Sequence, residues 1–77
     1  MNQDFRAIVA VALNMPASEV RDDLTPETTK SWNSLAMVEI ISGIEKSYNI
    51  GFELDELARF TSIGAIRDLL RSKGFAA

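Results

Sequence analysis

Neither cysteine nor histidine occurs anywhere in this chain, and in 77 residues that double absence constrains the fold more than any motif does. A chain this short has room for one small domain and buries only about 60% of its unfolded surface. Without cysteine it has no disulfides and no thiolate metal ligands. Without histidine it also lacks the commonest metal ligand and the commonest general base. Stability must therefore come from packed apolar side chains, and an apolar content of 47% suffices for one core. The same absences exclude chemistry. No Ser-His-Asp or Cys-His centre can be assembled, so no catalytic residue and no metal site is assigned. A pair of carboxylates would be poorly held by so small a scaffold, and a deep enclosed active site is not expected.

Charge and hydropathy narrow the classes further. The net charge is −3, which argues against nucleic acid as a partner because that role needs a basic surface. From Ser34 to Ala58 the acids are Glu39, Glu45, Glu53, Asp55 and Glu56 against the single base Lys46, a net of −4; the remainder has six acids and seven bases, a net of +1. The negative excess thus lies in the second half of the chain, although scattered charges on a solvated helix face would look the same. No stretch approaches the ~20 apolar residues that span a bilayer. The segment "AIVAVAL" follows Asp4 and Arg6 with no basic start, and reads as a helix face rather than a signal-peptide core. The expectation is a soluble cytoplasmic protein and a monomer.

Periodicity predicts an all-α chain with three main helices and one short one. The first runs from about Gln3 to Asn14, with Phe5, Ile8, Val9, Ala12 and Leu13 on one apolar face. Asn2 is placed to cap its start and Pro16 to stop it. Residues 15–33 form a long connection containing both prolines. Such a loop is unusual in a small domain and often functional, and Val20 and Leu24 are spaced to pin it to the core. The second helix runs from about Ser34 to Ser47, with Asn33 or Ser34 as N-cap and Asn49 and Gly51 at its end. At about 100° per residue, Met37, Ile40, Ile41, Ile44 and Tyr48 form its core stripe. Leu35 and Val38 fall to one flank, beside Glu39, Ser42 and Glu45. They either widen the core or stay partly exposed as a docking surface rimmed by acids. In "NIGFELDELARF", Ile50, Phe52 and Leu54 alternate, but with no partner strand in view an extended loop with these residues turned inward is expected. A short helix from Asp55 to about Arg59 follows. Thr61 or Ser62 caps the last helix, whose buried stripe is Ile63, Ile66, Leu69 and Leu70, and Gly74 ends it. There is no repeat, low-complexity tract or domain boundary, so residues 1–77 read as one domain.

The segment "WNSLAMVEIISGIEKSYNIGFELDELARFTSIGAIRDLL" resembles the acyl carrier proteins. Their pattern is Asp-Ser-Leu at a helix start, Val-Glu within that helix, a Leu/Ile-rich stretch with a Glu-rich end, an aromatic, an Ile-x-Ile-like loop, a short acidic helix and a Thr/Ser-capped last helix. Here these correspond to Asn33-Ser34-Leu35, Val38-Glu39, Ile40 to Ile44, Glu45, Tyr48, Ile50-Gly51-Phe52, Asp55-Glu56 and Thr61-Ser62. About half the chain is closely alike, and the first helix and long loop have the expected lengths. The tripeptide alone is a weak signal; in this helix order and spacing it is a fairly strong one.

The resemblance implies a four-helix carrier domain in which a phosphopantetheinyl transferase attaches 4′-phosphopantetheine to the Ser34 hydroxyl, with Asn33 and Leu35 flanking the attachment site. The arm's thiol would carry acyl groups as thioesters between enzymes of fatty acid, lipid or polyketide-type biosynthesis, and the protein itself would catalyse nothing. A thioester carrier without cysteine must take its thiol from such a group. The resemblance further implies that Leu35, Val38, Glu39, Ser42, Glu45, Asp55 and Glu56 dock acyl-transferring or acyl-activating enzymes through basic patches. Asn33 stands where the family usually has Asp, Ala36 and Lys46 stand where acids are common, and Trp32 stands where a small residue or Leu is usual. Trp32 is expected to cover the core edge rather than touch the arm. An aminoacyl or peptidyl carrier is the alternative within the class. Outside it stands a helical interaction module in which Ser34 is never modified.

Overall fold

A computed structural model of the protein describes residues 4–77, and among them the regular structure is entirely helical, as expected. Four α-helices follow in order: α1 (Phe5–Leu13), α2 (Ser34–Tyr48), α3 (Leu54–Leu57) and α4 (Ile63–Ser72), with a 3₁₀ turn at Ala17–Glu19 between the first two. The Cα radius of gyration is 11.3 Å, against about 11.5 Å for a compact domain of this length.

Each helix end has a local chemical reason. Asp4 caps α1 by accepting the Ala7 N–H at 2.8 Å; the expected cap at Asn2 and start at Gln3 lie outside the described residues. Two residues before Pro16, Asn14 ends α1 in the left-handed conformation (φ 55°), which asparagine tolerates better than most side chains. Asn49 ends α2 in the same way. Ser62 caps α4 by accepting the Ala65 N–H at 3.0 Å, and Gly74 follows that helix at φ 96°.

The core is one cluster drawn from all the long helices and the loop: Phe5, Ile8, Val9 and Leu13 of α1, Ile40 and Ile44 of α2, and Ile63, Ile66, Leu69 and Leu70 of α4. Two details depart from the periodicity. On α1, Ala10 is buried and Ala12 only half-buried. On α2, Ala36 is buried beside Ile40 and Ile44, whereas Met37, Ile41 and Tyr48 are partly buried at the margin. The inward face of α2 is thus rotated toward Ala36 and Gly43. The cause is the close approach of α1, since a Cβ on Gly43 would lie 2.7 Å from Ile8 Cγ2. Ile8 is β-branched and stiff at χ1, so it cannot turn aside. Gly43→Val should therefore lower stability by about 1–3 kcal/mol through overpacking, read as a lower urea midpoint; an unchanged midpoint would show that α1 can move away freely.

The long connection is not structureless. Val20 and Leu24 are buried, as expected. The loop also closes the start of α4, where Ile63 N–H donates to Leu24 O at 3.0 Å and Gly64 N–H to Asp22 O at 2.9 Å. Arg67 Nε reaches Asp22 Oδ1 at 3.0 Å. The first amides of a helix have no partner within it, so the loop finds its place by supplying theirs. Gly64 permits the approach, since a Cβ there would sit 3.2 Å from Asp22 O.

One expectation fails in the α2–α3 connection. Leu54 does not turn inward with Ile50 and Phe52; it is 85% exposed and is the first residue of α3. The α-helix begins one residue before Asp55 and ends at Leu57, with turns continuing through Arg59. Glu53 N–H donates to Glu56 Oε1 at 2.8 Å, half of a capping box. That bond starts the helix at Leu54 and ends the alternation there.

Candidate functional site

The rotation of α2 decides what its outer face presents. With Ala36, Ile40, Gly43 and Ile44 turned inward, the opposite side consists of Ser34, Leu35, Val38, Glu39 and Ser42, all exposed. Leu35 is 69% exposed and Val38 58%, so these two side chains do not widen the core. Across the groove between α1 and α2, Val11 of α1 adds a further exposed apolar side chain, and the groove is lined by Ile8, Val11, Ala12, Glu39, Ser42, Gly43 and Lys46. Periodicity alone did not single out Val11, although its only sequence signal is an apolar residue out of phase with the buried stripe of α1.

At the start of α2 the two candidate caps separate. Asn33 is the cap: its Oδ1 accepts the Ala36 N–H at 2.9 Å and its carbonyl accepts the Met37 N–H at 2.9 Å. Ser34 is the first helical residue, and its exposed hydroxyl takes no part in capping. Among the described residues no hydrogen bond engages the N–H of Ser34 or Leu35, and no acid occupies the first turn. The helix therefore offers free amides and the positive end of its dipole beside a free hydroxyl, a setting that favours an attached anion. Among the described residues no hydrogen bond engages Ser34 Oγ.

Beside Ser34 lies an open cleft of about 420 Å³ lined by Pro26, Trp32, Asn33, Ser34 and Met37. Trp32 covers the core edge, as expected, at 4% exposed, and it also lines the cleft beside Ser34, so covering the core does not keep it from a group on Ser34. Among the described residues its indole N–H is buried without a hydrogen-bond partner, as is the Thr29 hydroxyl. Sequence reasoning missed this cleft. Met37 lies one turn from Ser34 and could have been placed there, but nothing local brings Pro26 to the same spot.

The other acids expected at the docking surface divide by what their carboxylates do. Glu39 and Asp55 are exposed, and no cation among the described residues pairs with either. Glu45 is half-buried and accepts the Phe52 N–H at 2.9 Å, so it holds the turn after α2. Glu56 pairs with Lys73 Nζ at 2.7 Å, tying α3 to the end of α4. The hydrogen bond from Lys73, and after it the Glu53 N–H, hold the Glu56 carboxyl below the usual glutamate value of 4.5. A carboxyl lowered on folding stabilises the fold above its unfolded pKa and loses that contribution as pH falls through its folded pKa. NMR titration of Glu56 should accordingly give a midpoint below 4.5, and Lys73→Met should raise it; an unmoved midpoint would remove Lys73 as the cause.

Among the described residues no group of acids is arranged to hold a metal ion, and no helix is long and apolar enough to cross a membrane. Comparison with protein-family models and with curated proteins found no match for the chain.

Proposed function

We propose that the protein is an acyl carrier whose 4′-phosphopantetheine arm is attached to Ser34. The observation that carries this reading is the combination at the start of α2 of an exposed serine hydroxyl, unpaired backbone amides and a separate residue, Asn33, that does the capping. The donor chemistry fits the group. A phosphodiester on Ser34 Oγ would face the Ser34 and Leu35 amides, an interaction worth roughly 0.3–1 kcal/mol. When attached, the arm supplies the thiol that a chain without cysteine lacks, and that thiol holds acyl groups as thioesters. The chain's own residues present the arm and dock its partners, and none catalyses a reaction.

The exposed face of α2 suits brief visits. Leu35 and Val38 offer apolar contact, and Glu39 offers an unpaired charge for a basic patch. Surface ion pairs contribute about 0–1 kcal/mol each, so docking is weak, reversible and salt-sensitive. Glu45 and Glu56 are already engaged within the fold, which leaves Glu39 and Asp55 as the acids free to meet a partner. The reading places the protein as a monomer in the cytoplasm, among transferases and acyl-activating or acyl-transferring enzymes of fatty acid, lipid or polyketide-type synthesis.

The test is the intact mass after incubation with coenzyme A, Mg²⁺ and a broad-specificity phosphopantetheinyl transferase. A gain of one phosphopantetheine is expected; no gain with several transferases would contradict the reading. In the same assay Glu39→Lys should slow modification at low salt, by up to about fivefold for each ion pair lost. The rates should converge near 1 M salt, where the screening length is about 3 Å. Equal rates at all salt concentrations would remove Glu39 from the docking surface.

A further inference from the structure

We propose that the part of the arm nearest Ser34 rests in the cleft of Pro26, Trp32 and Met37, on the side of α2 away from the docking face. The inference rests on the carrier reading and adds where the arm lies. Ser34 is itself one of the residues lining that cleft, so a group on its Oγ starts at the cleft mouth and needs no reach to enter it. At about 100° per residue, Met37 lies about 60° to one side of Ser34, whereas Val38, Ser42 and Leu35 lie about 40°, 80° and 100° to the other. Ser34 thus stands on the border between an apolar cleft and the exposed face.

The lining suits that part of the arm. Outward from its phosphate, phosphopantetheine carries a carbon with geminal methyl groups, then a hydroxyl, then its first amide. The methyls match the apolar walls of Pro26, Trp32 and Met37. The phosphate matches the unpaired amides at the start of α2. Trp32 is a fixed wall: it is 4% exposed and packed within the core cluster. A loaded arm resting here leaves Leu35, Val38 and Glu39 free to meet an enzyme, which then draws the arm out.

Trp32 is the chain's single tryptophan, so its indole N–H gives one isolated resonance in a ¹⁵N–¹H spectrum. On loading the full chain with phosphopantetheine, confirmed by mass, that resonance should shift. Nuclear Overhauser contacts should join the arm's geminal methyls to the Trp32 ring and the Met37 methyl. A fully loaded protein without those contacts would overturn the resting site and leave the carrier reading standing. Failure to load at all would overturn both.

Discussion

Trp32→Ala should lower the stability of the protein by about 3–5 kcal/mol, the usual cost of truncating a buried tryptophan. A chain of 77 residues has a total stability of only about 4–12 kcal/mol, so the variant should lose about a quarter or more of it. The urea midpoint should fall accordingly. The reason lies in what Trp32 holds: it is 4% exposed within the core cluster, immediately before the Asn33 cap and at the end of the long loop. Trp32→Phe should cost less than half as much. It keeps most of the apolar area and removes the indole N–H that has no partner among the described residues, and deleting an unpaired buried donor relieves a penalty of about 1–3 kcal/mol. Equal losses for the two variants would show that the N–H is paired in solution and that the site is more polar than described. Because the loop also closes α4 through Leu24 O and Asp22 O, the loss in Trp32→Ala should spread beyond the start of α2, which amide exchange at Ile63 and Gly64 would report.

The sequence shows the helices clearly and the faces less so. The buried stripe of α4 is legible because Ile63, Ile66, Leu69 and Leu70 are its apolar positions at helical spacing and the rest of that helix is largely polar or small. On α2 nearly every position that is not charged is apolar or small, so periodicity admits several stripes. What selects one is Gly43, whose missing side chain lets Ile8 approach, and that is a fact about two helices rather than one. Leu54 was misread because three alternating apolar residues are indistinguishable in sequence from two followed by a helix start; the Glu53–Glu56 bond decides it. At the site, Ser34, Leu35, Val38 and Glu39 were all recognisable and all lie exposed together on α2. The internal use of Glu45 and Glu56 was not recognisable, because their partners, Phe52 N–H and Lys73, are brought near only by the fold. The cleft was equally hidden, since Pro26 precedes Ser34 by a turn-rich segment of no fixed direction.

Ser34→Ala should abolish modification without unfolding the protein, and this all-or-none loss is the largest functional effect expected. The two outcomes can be separated because the cap is Asn33, through its bond to the Ala36 N–H, and Ser34 is exposed. The first position of a helix tolerates alanine well, and a surface substitution away from a cap usually changes stability by less than about 0.5 kcal/mol. A loss of modification in a variant with an unchanged urea midpoint is thus a loss of the attachment atom. Asn33→Ala supplies the contrast: it should keep the hydroxyl and lower stability by about 1 kcal/mol through the missing cap.

The most direct measurement is localisation of the added group by fragment-ion mass spectrometry. Wild type and Ser34→Ala are each treated with coenzyme A, Mg²⁺ and transferase. One phosphopantetheine is expected on wild type, carried by the fragment containing Ser34, and none on Ser34→Ala. Phosphopantetheine on another residue, or on the alanine variant, or on neither protein, would contradict attachment at Ser34.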